Sequence, residues 1–404
     1  MSDPLSPPPE SLPQARYQVV LAGVCALILT VGLARFAYTP MLPVMRNQAG
    51  LSYLGSGWLA TVNYAGYMSG ALLASMISNL NLKFVLYRFG LVLALLGTAG
   101  MGLTQDMALW LLLRFIAGLS STAGMLLGSG LVLNWLIRQR HRPQLGLHFA
   151  GLGLGIVVSG LAVAAMAQGL AWDQQWLALG LLGVVFWVPA WRWMPAPAAQ
   201  QGNATALPPE TPPRRWMTLF MAVYFCAGFG FAIGATFIVA ILEKLPLFAG
   251  NGGWVWVVVG LAAAPSSFVW DRVAHAIRPI AALLLGFGLQ LVSLLLPAIS
   301  DNPALNLLSA VLFGGTFVGI VNLTLTLIGR RFPANPAKAM ARMTLSYGVA
   351  QILAPAMAGA IAAASGSYRD ALLVAAAFLG LGMVLLVLLA RQADQTPAAD
   401  QDAG

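Results

Sequence analysis

Hydrophobic residues in this chain gather in long runs broken by short polar loops. A run of about 20 apolar residues is what a helix needs to cross a bilayer. Twelve such runs are predicted, at 17–41, 53–77, 82–104, 107–135, 144–170, 175–194, 216–241, 253–274, 279–299, 304–329, 340–364 and 368–390. The one long gap, rich in Pro, Ala and Gln, divides the chain near its middle and reads as a linker. The pattern predicts an all-α membrane protein with a six-helix bundle over 17–194, a cytoplasmic linker over 195–215, a second six-helix bundle over 216–390 and a C-terminal tail over 391–404. A disordered N-terminal tail is expected over 1–16. It is Pro-rich, carries Asp3 and Glu10, and lacks the basic start and cleavage site of a signal peptide. The first span is therefore expected to act as an uncleaved insertion signal.

The two halves repeat each other. Ala34-Arg35-Phe36 aligns with Ala235-Thr236-Phe237, Ser75–Lys83 with Ser267–His275, and His148–Gly160 with Tyr347–Gly359. Each match is weak alone, but the offsets between first residues all fall between 192 and 201. Parallel six-helix repeats related by an axis along the membrane normal are a transporter architecture, with the binding site between the halves.

Composition agrees. The chain is 59% hydrophobic and 8% charged, against roughly 25% charged in soluble domains, so lipid is an expected partner. A formal charge of +9 would suggest nucleic acid in a soluble protein, but the positive-inside rule explains these loop residues better. With the N-terminus in the cytoplasm, only Arg46, Lys244 and Arg369 fall in outer loops, and 16 of the 21 Lys and Arg fall on or near the cytoplasmic side. Both termini are then cytoplasmic and the chain sits in the inner (plasma) membrane as a multi-pass protein. Cys25 and Cys226 lie in apolar runs without metal-ligand spacing, and no metal or cofactor is expected.

Several motifs make the chain resemble the major facilitator superfamily across nearly its whole length. Trp270-Asp271-Arg272-Val273-Ala274-His275-Ala276-Ile277-Arg278 is similar to the cytoplasmic gate motif of that family, and Arg114-Phe115-Ile116-Ala117-Gly118 to its Arg-x-x-x-Gly motif. Ala34-Arg35-Phe36-Ala37-Tyr38-Thr39-Pro40-Met41-Leu42-Pro43 and Tyr347-Gly348-Val349-Ala350-Gln351-Ile352-Leu353-Ala354-Pro355 resemble the YbfB/YjiJ-type group. The resemblance implies the twelve-helix major facilitator fold and transport. The first-half copy of the gate motif, Ser78-Asn79-Leu80-Asn81-Leu82-Lys83, has no acid, and the fifth span lacks the antiporter proline, which weakens an inference to proton-driven drug export.

Arg35 and Arg114 are charges inside apolar spans, and such charges are costly in hydrocarbon unless they face water, a partner or the bundle interior. Both are expected at similar depth in the outer half of the membrane. One reading has them line the cavity and bind a carboxylate through their planar forks. The other has them snorkel to the interface or pair with backbone carbonyls. No acid lies mid-span to neutralise them. Tyr38, Asn63, Tyr64, Tyr67, Thr236, Asn322 and Gln351 are span residues that could bind substrate or join helices. Asp271 and Arg272 are expected to act as a cytoplasmic latch. His148 and Glu243 are the candidates for proton coupling, against the simpler readings of a structural hydrogen bond and a solvated helix end. Gly66 and Gly70, Gly124 and Gly128, and Gly151 and Gly155 have the small-x-x-x-small spacing of close helix packing.

The expectation is a secondary active transporter, not an enzyme, moving a small anionic organic solute by alternating access, as a monomer, with a coupling ion such as H+ in view. The alternatives are a broad exporter of lipophilic compounds and a non-transporting membrane sensor.

Overall fold

The computed structural model describes residues 13–139, 145–197, 214–332 and 336–394. Most of the expected N-terminal tail and linker, the loop residues Arg140 and Arg142, and the chain beyond 394 lie outside the described residues.

All regular structure among the described residues is helical. In chain order the spans are α1 (three segments, Pro13–Leu27, Ile28–Phe36 and Tyr38–Gln48), α2 (Tyr53–Met76), α3 (Leu80–Gly100), α4 (Met107–Thr122, Ala123–Gly128 and Ser129–Arg138), α5 (Gly146–Met166), α6 (Trp172–Arg192), α7 (Arg214–Leu242), α8 (Gly252–Ala263 and Ser266–Ile277), α9 (Pro279–Ile299), α10 (Pro303–Arg331), α11 (Pro336–Ser365) and α12 (Arg369–Asp394). Ten of these are long and apolar enough to cross a membrane, and α8, bent by 43° near Pro265, makes eleven. The twelfth is α2. Its 24 residues reach about 36 Å at 1.5 Å per residue. Ser56, Thr61, Asn63, Tyr64 and Tyr67 lower its hydropathy, and these residues point to where the bundle is polar inside.

Short polar residues start the helices where the sequence leaves a loop. Ser52 accepts a hydrogen bond from the Gly55 amide, Asn79 from the Asn81 and Leu82 amides, Asp106 from Leu109, and Asn302 from Ala304 and Leu305. Each such cap satisfies orphan donors of a first turn and contributes about 1 kcal/mol.

A helix that is apolar all round belongs inside a bundle, and α1 and α7 obey that rule. The most apolar stretch of each is 94% buried, against 33% in α3 and α6. Large side chains such as Leu73, Phe89, Leu96, Leu181 and Val185 are exposed and face where lipid would lie.

Glycines let the two halves meet. A Cβ on Gly153 of α5 would sit 2.6 Å from the Ala264 Cα beside α8, and one on Gly253 of α8 would sit 2.6 Å from the Gly160 carbonyl of α5. A Cβ on Gly359 of α11 would lie 3.0 Å from the Gly57 Cα of α2. Larger residues there would hold the backbones apart, which is the use small residues have in membrane helix packing. Within the first half, a Cβ on Gly32 of α1 would lie 2.5 Å from the Gly155 Cα.

Two spans contain π-helical stretches, Ile28–Phe36 in α1 and Ala123–Gly128 in α4. Stretches of this kind disturb the regular hydrogen-bond ladder and are frequent at functional sites. In α1 the disturbance has a sequence cause. Pro40 and Pro43 have no N–H to donate and crowd the carbonyls one turn back. In the π register the Arg35 carbonyl would pair with residue 40, which is proline.

Candidate functional site

The centre of the bundle is built on that break. Arg114, on α4, is 2% exposed. Its Nη1 donates to the Ala34 carbonyl at 3.0 Å and its Nη2 to the Arg35 carbonyl at 3.2 Å. Its guanidinium carbon stands 4.5 Å from the centre of the Tyr38 ring. Arg114 thus supplies a donor to the Arg35 carbonyl, whose partner in the π register is Pro40, and through both bonds it fastens α4 to α1. Asn63 of α2 adds to the same knot, donating from Nδ2 to the Arg114 carbonyl at 2.9 Å.

Arg35 has a different environment. It is 8% exposed, and its guanidinium carbon lies 4.7 Å from the Tyr64 ring centre, 4.5 Å from Tyr67 and 5.4 Å from Phe36. Its Nε is buried without a hydrogen-bond partner. The ion pair among the described residues is Arg369 with Asp301 at an exposed loop, so no described carboxylate neutralises Arg35. Cation–π contacts of this kind are worth about 0.5–2 kcal/mol, less than an anionic partner would give.

Arg35, Arg114, Tyr38, Asn63 and Thr236 line one cavity, together with Phe36, Thr39, Ala60, Tyr64 and Ala235. Its volume is about 10 Å³, room for about one water, so this conformation is nearly occluded. Tyr67 closes the far side of Arg35, and Thr236 returns its hydroxyl to the Ala232 carbonyl at 2.7 Å. Gln351 is buried on α11. The second half faces Arg35 with rings that the sequence did not mark out. Tyr64 meets Phe231 of α7 edge-on at 6.5 Å, Phe231 stacks with Tyr347 of α11 at 6.0 Å, and Tyr224 of α7 lies 4.5 Å from Tyr347. Span aromatics look like ordinary core in a sequence, and of these second-half rings Tyr347 alone was singled out, by the pseudo-repeat that placed it opposite His148 and by the family-like stretch that it opens.

Other expected residues lie away from this cavity. Asn322 donates its Nδ2 to Asp271 Oδ1 at 2.8 Å, at the bundle end that carries Asp271. Polar residues within one span need not share a depth, and Asn322 sits nine positions from the end of α10. His148 is wholly buried. Its Nε2 is 2.7 Å from the Ser129 hydroxyl, which itself donates to the Met125 carbonyl, so Nε2 carries the proton of that bond. Both partners of that bond lie inside the first half. Arg272 lies 3.6 Å over Phe268 of its own helix. In this conformation Asp271 and Arg272 therefore take partners within their own half.

The opposite end is sealed across the halves. Arg46 of α1 lies 3.4 Å from the Tyr53 ring centre and reaches the Tyr368 hydroxyl at 3.4 Å. The Tyr53 hydroxyl donates to the Gly366 carbonyl at 2.7 Å and accepts from Lys244 Nζ at 3.3 Å. Ser56 and Tyr368 share a hydroxyl–hydroxyl bond of 2.5 Å. Deeper in, Thr39 donates to the Ala235 carbonyl at 2.5 Å and Thr61 to the Ile352 carbonyl at 2.9 Å. Tyr38 links this seal to the centre, since its hydroxyl donates to the Ser56 carbonyl at 2.9 Å.

Glu243, just beyond α7, is part of the same end. It is folded against Gly252 at the start of α8. Burial raises its pKa from 4.5 to about 7, and a hydrogen bond from the Gly250 amide opposes that rise.

A closed two-half helical bundle with buried cationic side chains at its centre defines a membrane transporter of the major facilitator superfamily. The fold is shared with a solved mutant form of the nucleoside transporter NupG, at a TM-score of 0.76 and 11% identity over 93% of this chain and 99% of that one. It is also shared with a bacterial homologue of the human lysosomal transporter Spinster, at a TM-score of 0.69 and 14% identity over 94% and 98%. The chain belongs to the family described as the uncharacterised MFS-type transporter YbfB, which residues 27–387 match. It is 21% identical to the inner membrane transport protein YdhP of Escherichia coli (strain K12) over 378 residues, 91% of this chain and 94% of that protein. It is 28% identical to the uncharacterized transporter mfc1 of Schizosaccharomyces pombe over 127 residues, 31% of this chain and 26% of that protein.

Arg114→Ala removes two hydrogen bonds from a charged donor to buried carbonyls, each worth about 1.5–3 kcal/mol, so it should lower the melting temperature in detergent clearly more than Arg35→Ala. Equal losses would show that the two arginines carry the same structural load. Glu243 holds its proton more tightly folded than unfolded, so its stabilising contribution is full below about 4.5 and is lost as pH rises through about 7. The melting temperature should therefore fall between pH 5 and pH 8, and that fall should be smaller in Glu243→Gln. An identical pH profile in the variant would remove Glu243 from this role.

Proposed function

We propose that this membrane transporter is a secondary active carrier of a small anionic organic solute, working by alternating access as a monomer. The observation that carries the reading is Arg35, a buried cation with π faces around it and no ion-pair partner among the described residues. Burying a charge without an opposite charge is costly, and a solute carboxylate would complete the site through the bidentate geometry that guanidinium favours. The same cost weighs against neutral lipophilic cargo and still more against cations. Arg114 serves the reading indirectly, by fixing the backbone on which Arg35 sits.

The end sealed by Tyr53 and Tyr368 is proposed as the outer face, and the end with Asp271 as the cytoplasmic face, because Lys83, Arg88, Arg138, Arg330 and Arg331 gather at the latter. The conformation is then closed outward. Asp271 and Arg272 become the latch of the opposite state, taking partners across the halves when the cytoplasmic end closes. A coupling proton would act at Glu243 rather than at His148, whose ring is enclosed within one half.

Two measurements test this. A thermal-shift screen of the purified protein against metabolite carboxylates should reveal stabilising acids, since specific binding stabilises the folded state. For such an acid, Arg35→Ala should remove a bond worth about 1.5–3 kcal/mol and weaken affinity about ten-fold or more, with partial rescue in Arg35→Lys. Unchanged affinity in a folded Arg35→Ala protein would overturn the anion reading. For orientation, single cysteines replacing Lys83 and Asn251 should label from opposite sides of intact cells, and labelling of both from outside would overturn the assignment.

A further inference from the structure

We infer that the solute is an aromatic or comparably planar carboxylate, and that Tyr64, Tyr67, Phe231 and Tyr347 select for its ring. The inference rests on the reading of Arg35 as the anion site. It adds a second requirement, set by what surrounds that cation.

The rings come from both halves. Tyr64 and Tyr67 belong to α2 and hold the guanidinium of Arg35 at 4.7 and 4.5 Å. Phe231 belongs to α7, Phe317 to α10 and Tyr347 to α11. Phe231 lies 5.1 Å from Phe317 and 6.0 Å from Tyr347, at interplanar angles of 35° and 29°. Those rings, with planes within 35° of parallel, gather as an aromatic cluster on the second half. Tyr64 meets Phe231 at 77°, edge to face. This contact joins the two halves beside the buried cation.

Separation of the halves breaks that edge-to-face pair, so Tyr64 keeps Arg35 and Phe231 keeps Phe317 and Tyr347 while each ring loses its neighbour across the halves. Aromatic rings gain from offset-stacked or edge-to-face neighbours beyond the area they bury. A planar ring whose carboxylate sits on Arg35 can take the place of each lost ring, bridging the halves as they close again. A saturated ring of the same size can fill the space but cannot supply the quadrupole.

The probes are benzoate and cyclohexanecarboxylate, which match in carbon number and charge and differ in ring planarity. Binding to the full-length purified protein is measured by calorimetry, for wild type, Arg35→Ala, Phe231→Leu and Tyr347→Leu, each checked for folding by its melting curve. The expected result is that benzoate binds about ten-fold tighter than cyclohexanecarboxylate. Arg35→Ala should weaken both acids. Phe231→Leu and Tyr347→Leu should narrow the preference to about two-fold, within the non-additivity expected of neighbours. If the two acids bind equally and both depend on Arg35, the ring selection is overturned and the anion site stands. If the acids bind equally well with and without Arg35, or neither binds, the anion site falls and the ring selection falls with it.

Discussion

The molecule depends on a helix that cannot complete its own hydrogen bonds. Pro40 and Pro43 interrupt α1 in the middle of the bundle, where freed carbonyls must find donors within the protein or a bound water. An unpaired backbone group in that setting costs several kcal/mol. Arg114 reaches in from α4, placing Nη1 on the Ala34 carbonyl and Nη2 on the Arg35 carbonyl, the one whose π-register partner is Pro40. A charged side chain is thus tolerated in the membrane because the backbone needs donors, and an irregular backbone is tolerated because the charged side chain provides them. Each explains the other's presence, and both positions follow from residues already in the sequence.

That arrangement separates two arginines that look alike in one dimension. Both lie in apolar spans with no mid-span acid, so sequence reasoning paired them. The structure divides their work. The carbonyl bonds hold Arg114, while Arg35, the residue whose own carbonyl is being held, points its guanidinium at rings. Backbone pairing, one of the two readings open at the start, describes Arg114 and not Arg35. The proline positions contained the hint, because a carbonyl deprived of its partner one turn before a proline is a predictable acceptor for a nearby buried donor.

The fold was legible because it is written in long runs. Twelve apolar stretches, a central gap and three matches at nearly one offset define the bundle, and even the least apolar span, α2, could be placed by its length. The site was legible only where a residue was chemically out of place. Arg35, Tyr38, Asn63 and Thr236 stand out as polar groups in spans, and they do line one cavity. Asn322 stands out equally and pairs instead with Asp271, because type alone does not give depth along a helix. His148 likewise satisfies Ser129 within its own half. Tyr224 and Phe231 were invisible for the opposite reason. An aromatic residue in an apolar run has nothing unusual about it until another half of the protein is folded against it.

The two ends of the bundle differ in a way that bears on how such a carrier turns over. At the tyrosine end, side chains of Thr39, Arg46, Tyr53, Ser56, Thr61 and Lys244 bond across the halves. At the aspartate end, Asp271 and Arg272 bond within one half. Each neutral bond of this kind nets about 0.5–1.5 kcal/mol, so the seal as a whole is worth a few kcal/mol. A ligand shifts an equilibrium between conformations only by its difference in affinity for them, and a few kcal/mol is within reach of a carboxylate on a buried guanidinium. The hydroxyl of Tyr38 is where the two terms meet. It bonds to the Ser56 carbonyl while its ring lies over Arg114, and the Ser56 hydroxyl bonds in turn to Tyr368. On the proposed reading, these consecutive contacts would connect occupation of the centre with release of the seal, without a long lever.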